Sequence, residues 1–142
     1  MGEFEEYIDE LRISGLRPTK QRLMISKILF GKKETFHFTI EDLSKLFKKN
    51  FNSKISMGTL YNTIHAFKKK GYLKEIALEG NKTYYDTNTS IHSHFYDEDT
   101  EKLIDINDSK ISVSNIPKAP YNKSIKGVEI MIRLAKDCYN QK

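Results

Sequence analysis

The segment Ile55-Ser56-Met57-Gly58-Thr59-Leu60-Tyr61-Asn62-Thr63-Ile64-His65-Ala66-Phe67-Lys68-Lys69-Lys70-Gly71 opens with a helix cap and closes with a helix stop. Ser56 has a side-chain oxygen that can accept from the backbone N–H groups a helix leaves without partners in its first turn. Leu60, Ile64 and Phe67 recur at i, i+4 and i+7 and so share one face, with Gly71 ending the segment. The other face offers Thr59, Tyr61, Asn62 and His65, whose hydroxyl, amide and ring groups suit base edges and phosphates. Taken alone, that polar face is equally what any solvated helix presents. Downstream the period changes from helical to alternating. Tyr72-Leu73-Lys74-Glu75-Ile76 and Lys82-Thr83-Tyr84-Tyr85-Asp86 read as two strands about a Glu79-Gly80-Asn81 turn.

Upstream, three further helices are expected. Phe4, Tyr7, Ile8 and Leu11 have helical spacing over residues 3–12, and Ser14-Gly15 ends that run. Thr19 caps a second helix with Leu23, Ile25, Ile28 and Leu29 inward, stopped by Gly31. Thr39-Ile40-Glu41-Asp42 resembles a capping box with Asp in the usual Glu place, opening a third helix with Leu43, Leu46 and Phe47 inward. Helices followed by a hairpin are the order of a winged helix, in which the helix from Ser56 would lie in the major groove.

Charge agrees with that partner. Residues 11–74 hold 15 Lys/Arg against 3 Asp/Glu, a surplus of twelve in a chain whose net charge is +5. Such a basic half suits the phosphates of DNA, although Lys68-Lys69-Lys70 by itself is an ordinary solvated helix end. The single cysteine, Cys138, excludes an intrachain disulfide framework and a Cys-x-x-Cys zinc clamp, and no role is assigned to it. No apolar run is long enough for a membrane helix, and the first residues are acidic where a signal peptide would be basic. The expectation is therefore a cytoplasmic protein.

The fold class expected is α+β: a winged-helix DNA-binding domain over residues 1–86, a hinge at 87–91, and a small α/β dimerisation and ligand-sensing domain at 92–142. In the last, strands are expected at 92–96, 103–106 and 128–132, followed by a short terminal helix. Histidine is scarce, with four in 142 residues, yet His92 and His94 stand two apart on a strand and so face the same way. A turn centred between Asp99 and Thr100 sets Asp105 opposite His94. Asp86, at the end of the wing, and His37, in the loop before the third helix, could add two more ligands. Nitrogen and carboxylate donors without thiolate suit Fe(II), Mn(II) or Zn(II). The plain alternative is a solvated hairpin beside acidic residues.

Gly15-Leu16-Arg17-Pro18-Thr19-Lys20-Gln21-Arg22 resembles the opening element of the ferric uptake regulator family, and Ile55 to Ile64 resembles its recognition helix. The resemblance implies a dimeric repressor that binds an inverted repeat in promoter DNA. It implies minor-groove entry for Arg17, within the element that also holds Lys20 and Arg22, and major-groove contacts from Tyr61 and Asn62, with Thr59 on the same face. It also implies that His37, Asp86, His92, His94 and Asp105 form the regulatory metal site. Two departures stand out: the family's Cys-x-x-Cys zinc pairs are absent, and Lys126 stands near where many members have another histidine. The loss of the cysteines, with His92-Ser93-His94-Phe95-Tyr96 and Leu103-Ile104-Asp105-Ile106, is most similar to the iron response regulator branch, which senses iron through haem. Ser93 replaces that branch's middle histidine, and there is no Cys-Pro motif.

Two other functions compete. Two histidines and a carboxylate are also the iron triad of an oxygenase, but such enzymes need a larger barrel than 92–142 can build. A DNA-binding regulator insensitive to metal would keep the same histidines as a hydrogen-bonded cluster.

Overall fold

The structure, a computed structural model, describes residues 2, 4–78, 80 and 82–137. The chain divides into two compact units, Met1–Thr89 and Ser90–Lys142.

In the first unit the helices are α1 (Glu5–Ile13), α2 (Lys20–Phe30), α3 (Ile40–Phe51) and α4 (Met57–Lys69), and the strands are β1 (His37–Phe38), β2 (Lys74–Ala77) and β3 (Thr83–Asp86). Local chemistry sets the helix starts. The Thr19 side chain accepts from the Arg22 N–H, and that of Ser56 from the Thr59 N–H. At Thr39 the box is reciprocal: Thr39 Oγ1 accepts from the Asp42 N–H at 3.1 Å, and Asp42 Oδ2 accepts from the Thr39 N–H at 3.0 Å. Asp thus does the work of the usual Glu. Helix α3 ends at Asn52 with φ 47°, a left-handed conformation that Asn tolerates better than most residues.

Leu60, Ile64 and Phe67 of α4 are buried as the spacing predicts, and so is Thr63. They meet Leu11 of α1, Ile25 and Leu29 of α2, and Leu43 and Phe47 of α3 in one hydrophobic core. Complete burial of side chains such as Leu43 and Leu60 contributes about 1.5–3 kcal/mol each. Phe30, Phe67 and Tyr72 add edge contacts to it, with ring centroids 5.8 to 6.4 Å apart.

The expected loop at His37 is in fact a strand. His37 and Phe38 pair antiparallel with Asp86 and Tyr85, giving a sheet in the order β1-β3-β2. Two residues are too few to show a period, and the stacking that fixes them, Phe38 on Tyr85 at 5.6 Å, is a tertiary contact. The hairpin turn proposed at Glu79-Gly80-Asn81 falls largely outside the described residues; Gly80 itself has φ 99°, open to glycine without strain.

The second unit is a three-stranded sheet. Strands β4 (Ser93–Asp97) and β5 (Lys102–Ile106) form an antiparallel hairpin, and β6 (Met131–Leu134) pairs parallel with the other edge of β4. Asp97 shapes the hairpin turn: its Oδ1 accepts from the Asp99 and Thr100 N–H groups, which hold its carboxyl below the usual range. The third strand is three residues later than expected. Asp108–Lys110 form one 3-10 turn, and residues 135–137 are not helical. The rest of the expected terminal helix, and Cys138, lie outside the described residues. Among the described residues no helix is long and apolar enough to cross a membrane.

Candidate functional site

Alternation along β1 and β3 sorts their side chains between two faces. Phe38 and Tyr85 stack on the core face, so His37 and Asp86, the neighbouring rung, turn to the other. There His37 Nε2 lies 3.1 Å from Asp86 Oδ2. Asp86 is buried, and its second oxygen, Oδ1, accepts from the Asn88 N–H at 2.8 Å. The carboxylate is thus oriented by the backbone that follows the wing, with Oδ2 directed at the imidazole. Lys74 of β2 is opposite Asp86 on the same rung, from the other side.

The second unit carries its own cluster. His94 pairs with Asp105 across the β4–β5 hairpin, the register implied by a turn between Asp99 and Thr100. His94 Nε2 is 3.1 Å from Asp105 Oδ1, and His92 Nε2 is 3.2 Å from the same oxygen. The two rings are 4.3 Å apart, centroid to centroid, and both are buried. His92 Nδ1 lies 2.8 Å from the Ser90 carbonyl oxygen. A carbonyl only accepts, so Nδ1 donates and Nε2 is the ring nitrogen left to face Asp105. Two imidazole nitrogens and one carboxylate oxygen directed at each other repel unless a proton or a metal cation sits among them. A backbone carbonyl that fixes the tautomer behind the donor atom is also the usual support of a metal-ligating histidine.

Ser93 points to the opposite face of β4, where its Oγ accepts from the Ile130 N–H at 3.0 Å. It ties β6 to the sheet and is not aligned with the two histidines.

Of the residues expected to meet DNA, Tyr61 is 54% exposed, and Arg17, Lys20 and Asn62 are exposed too. Thr59 is half-buried and shares the cap of α4, its hydroxyl 2.8 Å from that of Ser56. Arg22 is turned back, with Nη1 donating to the Arg17 carbonyl at 3.0 Å, so it shapes the loop that carries Arg17. Lys68 of α4 is bridged to Glu75 of β2 at 2.6 Å, linking helix to wing. Sequence reasoning missed the supporting groups: Lys74, the Asn88 N–H and the Ser90 carbonyl. Lys74 could have been found by counting strand pairs outward from the wing turn, while the two backbone groups leave no mark in residue type.

The model of the ferric uptake regulator family matches residues 13–133. The chain is 33% identical over 103 residues to the peroxide-responsive repressor PerR of Staphylococcus aureus, covering 72% of this chain and 68% of that protein. Among solved structures it is similar to the Vibrio cholerae ferric uptake regulator, with TM-score 0.71 and 22% identity over 92% of this chain and 99% of the other. It also resembles the Pseudomonas aeruginosa ferric uptake regulator with manganese, with TM-score 0.67 and 20% identity over 90% and 96% of the two chains. These two structures bear on the fold alone; the family model and the repressor bear on kinship. Regulators of transcription, not enzymes, make up this family, which removes the oxygenase reading. The chain belongs to the ferric uptake regulator family.

Proposed function

We propose that this protein is a metal-responsive transcription repressor in which His37 and Asp86 of the first unit and His92, His94 and Asp105 of the second together hold one divalent cation, Fe(II), Mn(II) or Zn(II). The observation that carries the reading is the convergence of His92 and His94 on one oxygen of Asp105, with the His92 tautomer fixed by Ser90. The donor set is nitrogen and oxygen only, which fits these metals and not Cu(I) or an iron–sulfur cluster. The bound ion would supply positive charge among the converging donors and a bond between the halves. Residues 1–86 then act as the DNA-binding domain, 87–91 as a hinge and 92–142 as the dimerisation and sensing domain.

In this reading the chain's own groups do three things. Asn88 and Ser90, on the hinge, hold Asp86 and His92 in ligating orientation, so the site and the hinge geometry are set together. Tyr61, Asn62 and Thr59 read the major groove, while Arg17, Lys20 and Arg22 serve the adjoining backbone and minor groove. A homodimer in the cytoplasm presents two such halves to an inverted repeat in promoters of iron- or haem-related genes. Ligation selects one angle between the halves and thereby shifts the population that fits DNA.

Gel-shift titration of the full chain with chelator, with Mn(II) and with haem tests this. DNA affinity should change with Mn(II), and H92A/H94A should abolish the change; a double variant that still responds excludes the site. Equal affinity in all three conditions would leave a metal-insensitive regulator. A response to haem alone would transfer the sensing role to haem, although Ser93 is committed to Ile130. The name of the Staphylococcus aureus relative supports a second reading, that peroxide is the signal acting through the bound metal. Loss of DNA binding on peroxide treatment of the Fe(II) form but not the Mn(II) form would establish it.

A further inference from the structure

The rung that carries His37 and Asp86 has a third member. Lys74 on β2 is the cross-strand partner of Asp86, as His37 is on β1, so the carboxylate is flanked on both sides within one three-stranded sheet. Directly opposed residues of antiparallel strands face the same side with Cβ atoms about 5 Å apart, within easy reach of a lysine. Asp86 is 1% exposed, and a carboxylate that buried needs positive or hydrogen-bonding partners. Its Oδ1 accepts from the Asn88 N–H and its Oδ2 lies 3.1 Å from His37 Nε2, and the Lys74 charge stands on the same rung. Lys74 is itself half-buried: burial lowers its pKa on balance, and the Asp86 charge opposes that shift.

We infer that Lys74 is a positioning residue that acts as the resident counter-cation of Asp86, competing with a divalent metal for that carboxylate and thereby weakening metal binding to a regulated level. The inference rests on the metal site proposed above. A metal ion that draws on Asp86 takes charge away from Lys74, and Lys74 belongs to the wing. Occupancy of the site is therefore felt directly by strand β2, which is bridged through Glu75 to Lys68 of α4. Glu75 is the next residue of that strand, so the strand that carries Lys74 is tied by its other face to the helix that carries Tyr61.

The test is calorimetric titration of Mn(II) into the metal-free full-length chain, with the thermal midpoint of the metal-free form measured alongside. Lys74→Met keeps the length of the side chain and removes its charge, and is expected to bind Mn(II) about tenfold more tightly, the scale of freeing the Asp86 carboxylate from an ammonium at a partly screened site. Its metal-free form should melt at a lower temperature, because Asp86 has lost its counter-charge. Lys74→Arg should stay near wild type. In an Asp86→Asn background, where Mn(II) binding is already weak, Lys74→Met should change nothing further. An unchanged dissociation constant in Lys74→Met, with Asp86→Asn still impaired, overturns the role of Lys74 and leaves the metal site standing. Undiminished binding in both His37→Ala and Asp86→Asn overturns the metal site, and the role of Lys74 with it. Should Lys74→Met fail to fold, Lys74→Gln gives the same comparison.

Discussion

The two units bury their apolar residues very differently. The first encloses Leu11, Ile25, Leu29, Phe38, Leu43, Phe47, Leu60, Ile64 and Phe67 almost completely. In the second, the buried hydrophobic side chains among the described residues are Leu103 and Ile106, and three of the other buried residues are His92, Ser93 and His94. Ile104, Val113, Ile116, Ile125, Val128, Ile132 and Leu134 are exposed on that unit. A unit with a thin core and so much aliphatic surface gains stability when that surface is covered, whereas the first encloses its own apolar residues. This family acts as dimers, and the prediction that follows is that a second copy covers the aliphatic surface of the second unit.

The sharpest way to break that contrast is a cavity in the first unit. Phe67→Ala should destabilise it by about 3–5 kcal/mol, by an amount independent of protein concentration, measured by chemical denaturation followed by circular dichroism. Ile104→Asp with Ile132→Asp should instead leave the first unit folded and shift sedimentation from dimer to monomer. Because two half-sites are then no longer bound together, affinity for an inverted repeat should fall roughly 100-fold. If the double variant remains dimeric, the apolar sheet surface is not the interface. Next in size, Tyr61→Ala should weaken DNA binding by about 1–3 kcal/mol with no change in Mn(II) affinity. Thr39→Ala, which removes one arm of the capping box, should cost about 1 kcal/mol of first-unit stability and nothing in self-association. Smallest of all, Glu75→Gln should cost well under 1 kcal/mol, since Lys68 and Glu75 are each about one-third exposed and solvent screens their pair. A loss of DNA affinity in Glu75→Gln larger than its loss of stability would mark that pair as a link between wing and helix.

The same contrast explains what could be read from residue order. Helices α2, α3 and α4 announce themselves through Thr19, Thr39 and Ser56, because capping is a local transaction between a side chain and the next turn. The β4–β5 register also follows from a local fact, the turn at Asp97 to Glu101. Strand β1 does not, since His37-Phe38 becomes a strand only through Phe38 stacking on Tyr85, nearly fifty positions away. Likewise β6 is fixed by parallel pairing to a distant strand and by Ser93 accepting from Ile130, neither of which has a pattern at Met131–Leu134. At the candidate site the ligand-type residues are visible as residue types. What orients them, the Asn88 N–H and the Ser90 carbonyl, is backbone and has no letter of its own.

The parallel pairing of β6 also sets an order of events during synthesis. Strands β4 and β5 are joined by a tight turn, and a hairpin of that kind closes in microseconds. Strand β6 reaches β4 only after the chain from 107 to 130 has been made, and closing so long a connection carries an entropic cost that the tight turn avoids. At ribosomal speeds of about 5–20 residues per second, the edge of β4 stays bare for a second or more after the hairpin forms. Throughout that interval its unpaired N–H and C=O groups, flanked by His94 and Phe95, are available to any other growing chain. The moment of greatest risk for this regulator is thus the wait for β6.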